Sequence, residues 1–210
     1  MSSDVVGVLL AGGQSRRMGG GDKCLKTVGG ETLLSRVIAR ARPQVGPLLL
    51  NANGDPTRFS GFGLPVVADV VEGFHGPLAG VLTGMDWAAD QVPATRWIAT
   101  FATDAPFFPL DLVDRLLAAV EEAAAELACA KSAGRTHPVF GLWPVALAGD
   151  LRSTLVDEQL RRIDAWTARY RLVEVSFPTE PFDPFFNLNS PEDLAAAACL
   201  ARSNSETKKQ

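Results

Sequence analysis

Cysteine is scarce in this chain, histidine scarcer, and long apolar runs are missing altogether. The three cysteines, Cys24, Cys129 and Cys199, are odd in number and far apart, with no CxxC pair. That spacing excludes a disulfide framework and a structural zinc site. Cys129 and Cys199 fall in apolar stretches and read as small buried residues, while Cys24 sits in a loop with no candidate base beside it. The two histidines, His75 and His137, fit neither HExxH nor a triad layout; each reads as a surface or packed residue first and as a cleft-lining one second. No GxSxG elbow is present to suggest a serine hydrolase. No apolar run approaches the ~20 residues of a membrane span. The start, MSSDVVGVLLAGG, has no basic stretch ahead of its apolar residues, which argues against a signal peptide and for a cytoplasmic protein. A basic surface is missing as well. The formal net charge is −4 and no basic stripe interleaves with aromatics, which excludes nonspecific nucleic-acid binding.

What is present is ordinary globular material: 210 residues, 47% hydrophobic and 21% charged, enough for one domain with a full core. With no repeat and no Pro/Gly/Ser-rich linker, residues 1–202 read as one unit and the polar 203–210 as a frayed tail. Strand-like runs at Val5–Leu10, 45–50, 64–68 and 96–103 alternate with helical patterns. Leu33, Leu34, Val37, Ile38 and Ala41 share one helix face, stopped by Pro43; Leu78, Val81, Leu82 and Met85 share another within 78–88. Leu110, Val113, Leu116, Leu117, Val120 and Leu127 spell the longest amphipathic helix. This alternation predicts an α/β fold, a largely parallel sheet with helices on both faces. The second half is less regular, with strands over Leu127–Ser132, 139–143 and 171–177 and a helix over 145–160. Ser190-Pro191-Glu192-Asp193 reads as a helix start, with Ser190 as cap, Pro191 at the first helical position and Asp193 as the capping-box acid.

Chemistry gathers at strand ends. Four successive strand candidates end in a glycine loop, Asn51, Asp69 and Asp104. In an open parallel sheet, ligands bind outside the carboxyl ends of the strands, so all four groups would line one crevice. The loop, LAGGQSRRMGGGDK, places Gly12, Gly13, Gly19, Gly20 and Gly21 where backbone N–H groups can turn toward an anion. Arg16, Arg17, Lys23 and Lys26 against Asp22 give the segment 10–26 a net +3 in an acidic chain. A triphosphate is the natural partner. The loop is neither a Walker A sequence nor GxGxxG with a ribose-binding acid. Asp104, in TDAPF, is the kind of lone carboxylate that Mg²⁺ takes beside phosphate oxygens and water, or an acid opening a turn before Pro106. Asn51 and Asp69 suit a base or ribose, or turn capping. GPLAG, Gly76 to Gly80, opens a helix at the same edge, where its first N–H groups suit an anion or ribose. The glycine-containing stretch 70–75 is a candidate for closing over the site. In FFNLN, Asn187 and Asn189 would share one side of an extended strand beside aromatic rings, which suits a flat heterocycle or merely a strand end before a cap.

Together these motifs resemble the MobA-type molybdenum cofactor guanylyltransferases. LAGGQSRRMGGGDK, NAN, the acid of VVADV, GPLAG, TDAPF, HPVFGLW and FFNLNSPEDL occur in that family's order, from the first strand almost to the last helix. The resemblance implies a single Rossmann-like nucleotidyltransferase domain, with some second-half strands antiparallel. It implies transfer of GMP from GTP to molybdenum-bound molybdopterin, giving the guanine dinucleotide cofactor and pyrophosphate. By motif, Leu10, Ala11, Gly12, Lys23, Asn51 and Asp69 would bind GTP, with Gly80 beside them. Asp104 would hold Mg²⁺ and contact the nucleotide. Gly13, Gly20, Asn187 and Asn189 would serve turnover, the asparagines on the pterin side, and Arg17 would join Lys23 on the leaving pyrophosphate. Cytidylyl-transferring relatives resemble LAAG and Asp-x-Asp at the corresponding places, so LAGG and Asn-x-Asn here point to GTP. Partners implied are other proteins of cofactor synthesis and recipient molybdoenzymes, by transient contact. The readings left beside it are a CTP-dependent or sugar-phosphate nucleotidyltransferase, a catalytically silent nucleotide-binding module, and a dinucleotide-binding redox domain.

Overall fold

Val5–Leu10 (β1) is a run of aliphatic residues buried along almost its whole length, as a central strand covered on both faces requires. The structure, a computed structural model, describes residues 4–12, 22–73, 76–189 and 193. After β1 come a two-stranded ribbon, Thr27–Val28 (β2) and Glu31–Thr32 (β3), and a helix, Leu33–Ala41 (α1). The Thr32 hydroxyl caps α1 by accepting the Ser35 N–H at 3.0 Å. Leu48–Asn51 (β4), Val66–Val67 (β5), Pro77–Gln91 (α2), Trp97–Ala102 (β6) and Leu112–Glu122 (α3) complete the first half. Leu127–Ser132 (β7), Arg135–Pro144 (β8), Ala148–Val156 (α4), Ile163–Thr167 (α5) and Leu172–Ser176 (β9) follow.

Seven strands form one sheet in the order β5-β4-β1-β6-β8-β7-β9. Only the pairings of β8 are antiparallel, so the other six strands run the same way. One face is covered by α1 and α3 through Leu34, Val37, Leu112 and Leu116. The opposite face is covered by α2, α4 and α5 through Leu78, Leu82, Leu151 and Trp166. The chain runs outward from β1 to β4 and β5, then returns to β6 on the other side of β1. That reversal places the switch point between β1 and β6, where ligands enter such sheets. Among the described residues no helix is long and apolar enough to cross a membrane.

Several boundaries differ from the sequence reading. The pattern drawn through to Leu127 overran: α3 stops at Glu122, and Leu127 opens β7. The cause is local. Ala124 takes a left-handed φ of 47°, its N–H bonds back to Glu121, and the Ala125 N–H bonds back to Val120. That pair of bonds is a Schellman ending built on alanine, without the glycine that usually announces it. Among the described residues the longest helix is instead α2. The helix expected over 145–160 is a 3-10 turn at Val145–Leu147 followed by α4, and α5 carried no strong periodic signal. Asn187 and Asn189 lie in no strand, although both are exposed with Leu188 buried between them. The Asp193 carboxylate accepts the N–H of Asn189 at 2.7 Å, one residue ahead of the expected cap position. Ser190 and the rest of that helix start, with the 203–210 tail and Cys199, lie outside the described residues.

Candidate active site

Parallel pairing sets the strand ends level. Leu10 is in register with Asn51 of β4 and with Ala102 of β6, and Asn51 with Val67 of β5. The residues that follow therefore leave the sheet from one row. Thr103 ties that row together, its hydroxyl donating to the Leu10 carbonyl at 3.1 Å. Above the row lies a cavity of about 940 Å³, lined by Gly12, Lys23, Asn51, Asp69, Asp104 and Asn187 among others. This is the upper part of the ~300–1,000 Å³ range of small-molecule sites. The four strand-end groups expected to share a crevice do share one.

At its centre Lys23 Nζ donates to Asp104 Oδ2 at 2.7 Å and to Asn189 Oδ1 at 2.6 Å. Lys23 enters from the 3-10 turn that closes the glycine loop, Asp104 from the end of β6, and Asn189 from the returning chain end. The Asp104 carbonyl also accepts the Leu188 N–H at 2.9 Å, which pins the asparagine segment to the end of β6. Among the described residues no group of three or more His, Cys, Asp or Glu side chains could jointly hold a metal ion. A lone carboxylate such as Asp104, 29% exposed and facing a phosphate-sized space, fits a hard cation that keeps most of its shell as water and phosphate oxygen.

On the β4 and β5 side, the Asp69 carboxylate is held from both ends. Asn51 Nδ2 donates to Oδ1 at 2.9 Å and Asn53 Nδ2 to Oδ2 at 2.8 Å, while Asn53 Oδ1 accepts the Asp69 N–H. Arg58 braces this corner, donating to the Asn53 carbonyl and to both oxygens of Asp22 at 2.8 and 2.9 Å. It thereby joins the exit of the glycine loop to the Asn53 turn. The α2 N-terminus faces the same space through Gly76 and Pro77, so its dipole favours negative charge there.

Gly80 does not line the cavity; it acts from beneath. A Cβ there would stand 2.4 Å from Asn51 Oδ1 and 2.6 Å from Leu10 Cδ2. Asn51 has no free direction to move, since its amide also donates to the Val67 carbonyl. Gly80→Ala is therefore expected to displace Asn51 from Asp69, raising the nucleotide KM about tenfold and costing roughly 1–3 kcal/mol of stability. Steady-state kinetics and denaturant unfolding measure the two effects; a variant unchanged in both would show that α2 can lift without cost.

The other side of the cavity is built by β8. Its pairing with β7 slips between Cys129, opposite Gly141, and Ala130, opposite His137. Residues 138–140 bulge out, and a buried hydroxyl holds the bulge. Thr100 Oγ1 donates to the Val139 carbonyl at 2.7 Å and accepts the Trp143 Nε1–H at 2.9 Å. The bulge re-aims this stretch into the cavity, as bulges beside active sites do. His137, which the sequence reading placed first as a surface or packed residue, lines it and stacks on Phe185 with ring centroids 4.8 Å apart. Cys24 also lines the cavity wall, but burial and then the neighbouring Asp22 push its thiol up to about 12, so it is no nucleophile at neutral pH.

Gly13, Arg17, Gly20 and His75 lie outside the described residues. Leu10, Ala11, Gly12, Lys23, Asn51, Asp69, Asp104 and Asn187 all line the one cavity, and Asn189 reaches it through Lys23. A family model described as the MobA-like NTP transferase domain matches residues 7–172. The chain belongs to this family. A molybdenum cofactor guanylyltransferase of Nitrobacter hamburgensis is 57% identical over 195 residues, 93% of each chain. One from Mesorhizobium japonicum is 53% identical over 206 residues, 97% of this chain and 99% of the relative. The crystal structure of molybdopterin-guanine dinucleotide biosynthesis protein A from Archaeoglobus fulgidus superposes with a TM-score of 0.72 at 21% identity, covering 95% of this chain and 100% of that one. This member of the MobA-like family is thus a nucleotidyltransferase of molybdenum cofactor synthesis, on a mostly parallel α/β sheet. Asn53, Arg58 and the Ser132 and Asp183 partners of His137 escaped the sequence reading. Asn53 stood beside Asn51 in NAN, and His137 opened HPVFGLW, but neither carried a local reason to face the site.

Proposed function

We infer that this chain transfers the GMP moiety of GTP to molybdenum-bound molybdopterin, forming the guanine dinucleotide cofactor and releasing pyrophosphate. The observation that carries the inference is the Lys23–Asp104 ion pair at the switch point, in the middle of one crevice whose two sides carry different chemistry. The names of close relatives point the same way. On the β4 and β5 side, Asn51 and the doubly anchored Asp69 suit a purine and its ribose. On the β8 side, Asn187 and His137 suit a second, flat substrate. The phosphates then lie over the centre, beside Lys23, Gly12 and the α2 N-terminus; by the family resemblance Gly13, Arg17 and Gly20 would join them.

In the reaction a terminal phosphate oxygen of molybdopterin attacks the α-phosphorus of GTP in line. The bond from that phosphorus to the bridging oxygen breaks, and pyrophosphate leaves with the electron pair. The nucleophile is already an anion, so no general base is needed. The residues position the two substrates and offset the charge that develops on the leaving group. Mg²⁺, held by Asp104, would supply further charge neutralisation at the phosphates. The setting is the cytoplasm, with transient handover to recipient molybdoenzymes.

Pyrophosphate release with GTP, ATP, CTP and UTP, each with and without metal-loaded molybdopterin and Mg²⁺, tests this. Release is expected with GTP only, and only when acceptor and Mg²⁺ are both present. Release with CTP would make it a cytidylyltransferase, and binding without release a silent module.

A further inference from the structure

We propose that His137 recognises the acceptor substrate: the buried Ser132 hydroxyl and the half-buried Asp183 carboxylate fix it as its Nε2–H tautomer, so that Nδ1 accepts a hydrogen bond from an N–H or amino group on the acceptor's heterocycle. The inference deepens the acceptor assignment above and rests on it. It begins with a hydroxyl that has only one proton to give. Ser132, 2% exposed at the end of β7, donates that proton to Asp183 Oδ1 at 2.8 Å. The same oxygen accepts the Phe185 N–H at 3.0 Å, which keeps the carboxylate in place. Ser132 Oγ also meets His137 Nε2 at 2.7 Å. With its proton spent on Asp183, the hydroxyl has only lone pairs left for the ring, so Nε2 must carry the hydrogen.

In a neutral imidazole the other nitrogen is then an acceptor. Burial holds His137 below the usual histidine range against the opposing pull of Asp183, and Arg135 adds to the lowering. The ring is fixed in plane by stacking on Phe185. The two ring nitrogens point away from each other, so Nδ1 turns away from Ser132, and His137 itself lines the cavity. Among the described residues, none of the hydrogen bonds of His137 uses Nδ1. A surface histidine has no need of a buried hydroxyl and a half-buried carboxylate behind it. An acceptor nitrogen selects donors and repels phosphate oxygens, so its ligand is not the triphosphate. It fits the edge of a heterocycle carrying ring N–H and amino groups, as a reduced pterin does. Ser132 and Asp183 are positioning residues that act through the ring.

Two substitutions separate recognition from packing. A glutamine amide reaches the place of Nε2 and keeps the Ser132 bond; an asparagine amide offers its oxygen near the place of Nδ1. With purified protein, GTP, Mg²⁺ and metal-loaded molybdopterin, His137→Gln is expected to raise the acceptor KM about tenfold or more, with the GTP KM within about twofold of wild type. His137→Asn is expected to stay within about threefold of wild type for both substrates, and Ser132→Ala to raise the acceptor KM several-fold. A purely structural role reverses the order, with Gln tolerated and Asn damaging. Either that reversal, or a GTP KM rising in step with the acceptor KM, overturns the proposal. A wild-type protein that does not turn over GTP with this acceptor overturns the functional reading and this proposal together. An active wild type with an unchanged His137→Gln variant overturns only the histidine.

Discussion

Asp104→Ala is expected to lower turnover by about 10²–10³-fold while the protein stays folded. The carboxylate lines the crevice two residues past the end of β6 and lies within 2.7 Å of Lys23. Removing it takes away a fixed charge at the breaking bond, a loss of the size seen when one preorganised electrostatic contact is deleted. The scaffold barely notices. The ion pair it forms is partly exposed and worth roughly 1 kcal/mol or less. The backbone carbonyl that holds Leu188 is retained in alanine, so the asparagine segment keeps its anchor. Pyrophosphate release read beside thermal unfolding checks the prediction. In a domain of this size the midpoint should fall by no more than about 2–4 °C. Near-normal turnover would remove Asp104 from the chemistry.

Lys23→Ala should be nearly as damaging to turnover, and Lys23→Arg should not rescue it fully. The ammonium serves two acceptors, Asp104 and Asn189, from a side chain only 11% exposed. Such a confined point charge fits where a planar guanidinium does not. Alanine leaves the leaving pyrophosphate without its nearest described cation and frees Asn189. We expect about a 10²-fold loss in kcat/KM for Lys23→Ala and about tenfold for Lys23→Arg, measured by pyrophosphate release over a GTP titration. An arginine variant with full activity would mean that charge alone, without fit, is what the position supplies.

The donor side was legible in the sequence because it is local. Each parallel strand delivers its chemical residue at its own carboxyl end, so Leu10, Asn51, Asp69 and Asp104 could be grouped by counting along apolar runs. The side proposed for the acceptor was legible only in Asn187 and Asn189. It depends on a slipped register between β7 and β8, on a Thr100 hydroxyl that satisfies the bulge, and on a chain end that returns to Lys23. None of these leaves a periodic mark, since a bulge breaks the period that would reveal it. His137 became informative only when Ser132, 5 residues before it, and Asp183, 51 residues after Ser132, met beside it. The end of α3 was missed for a related reason: its stop is a bond pattern closed by Ala124, a residue whose propensity favours continuing.

The level ends of β4, β1 and β6 act as a ruler marked in peptide units. Neighbouring strands lie about 4.8 Å apart, so Asn51 and the Asp104 turn are spaced by roughly 10 Å whatever side chains fill the layers above and below. A distance fixed by main-chain hydrogen bonds survives the exchange of most other residues. Sequences can then drift to about one-fifth identity and keep the same scaffold, as the Archaeoglobus superposition illustrates.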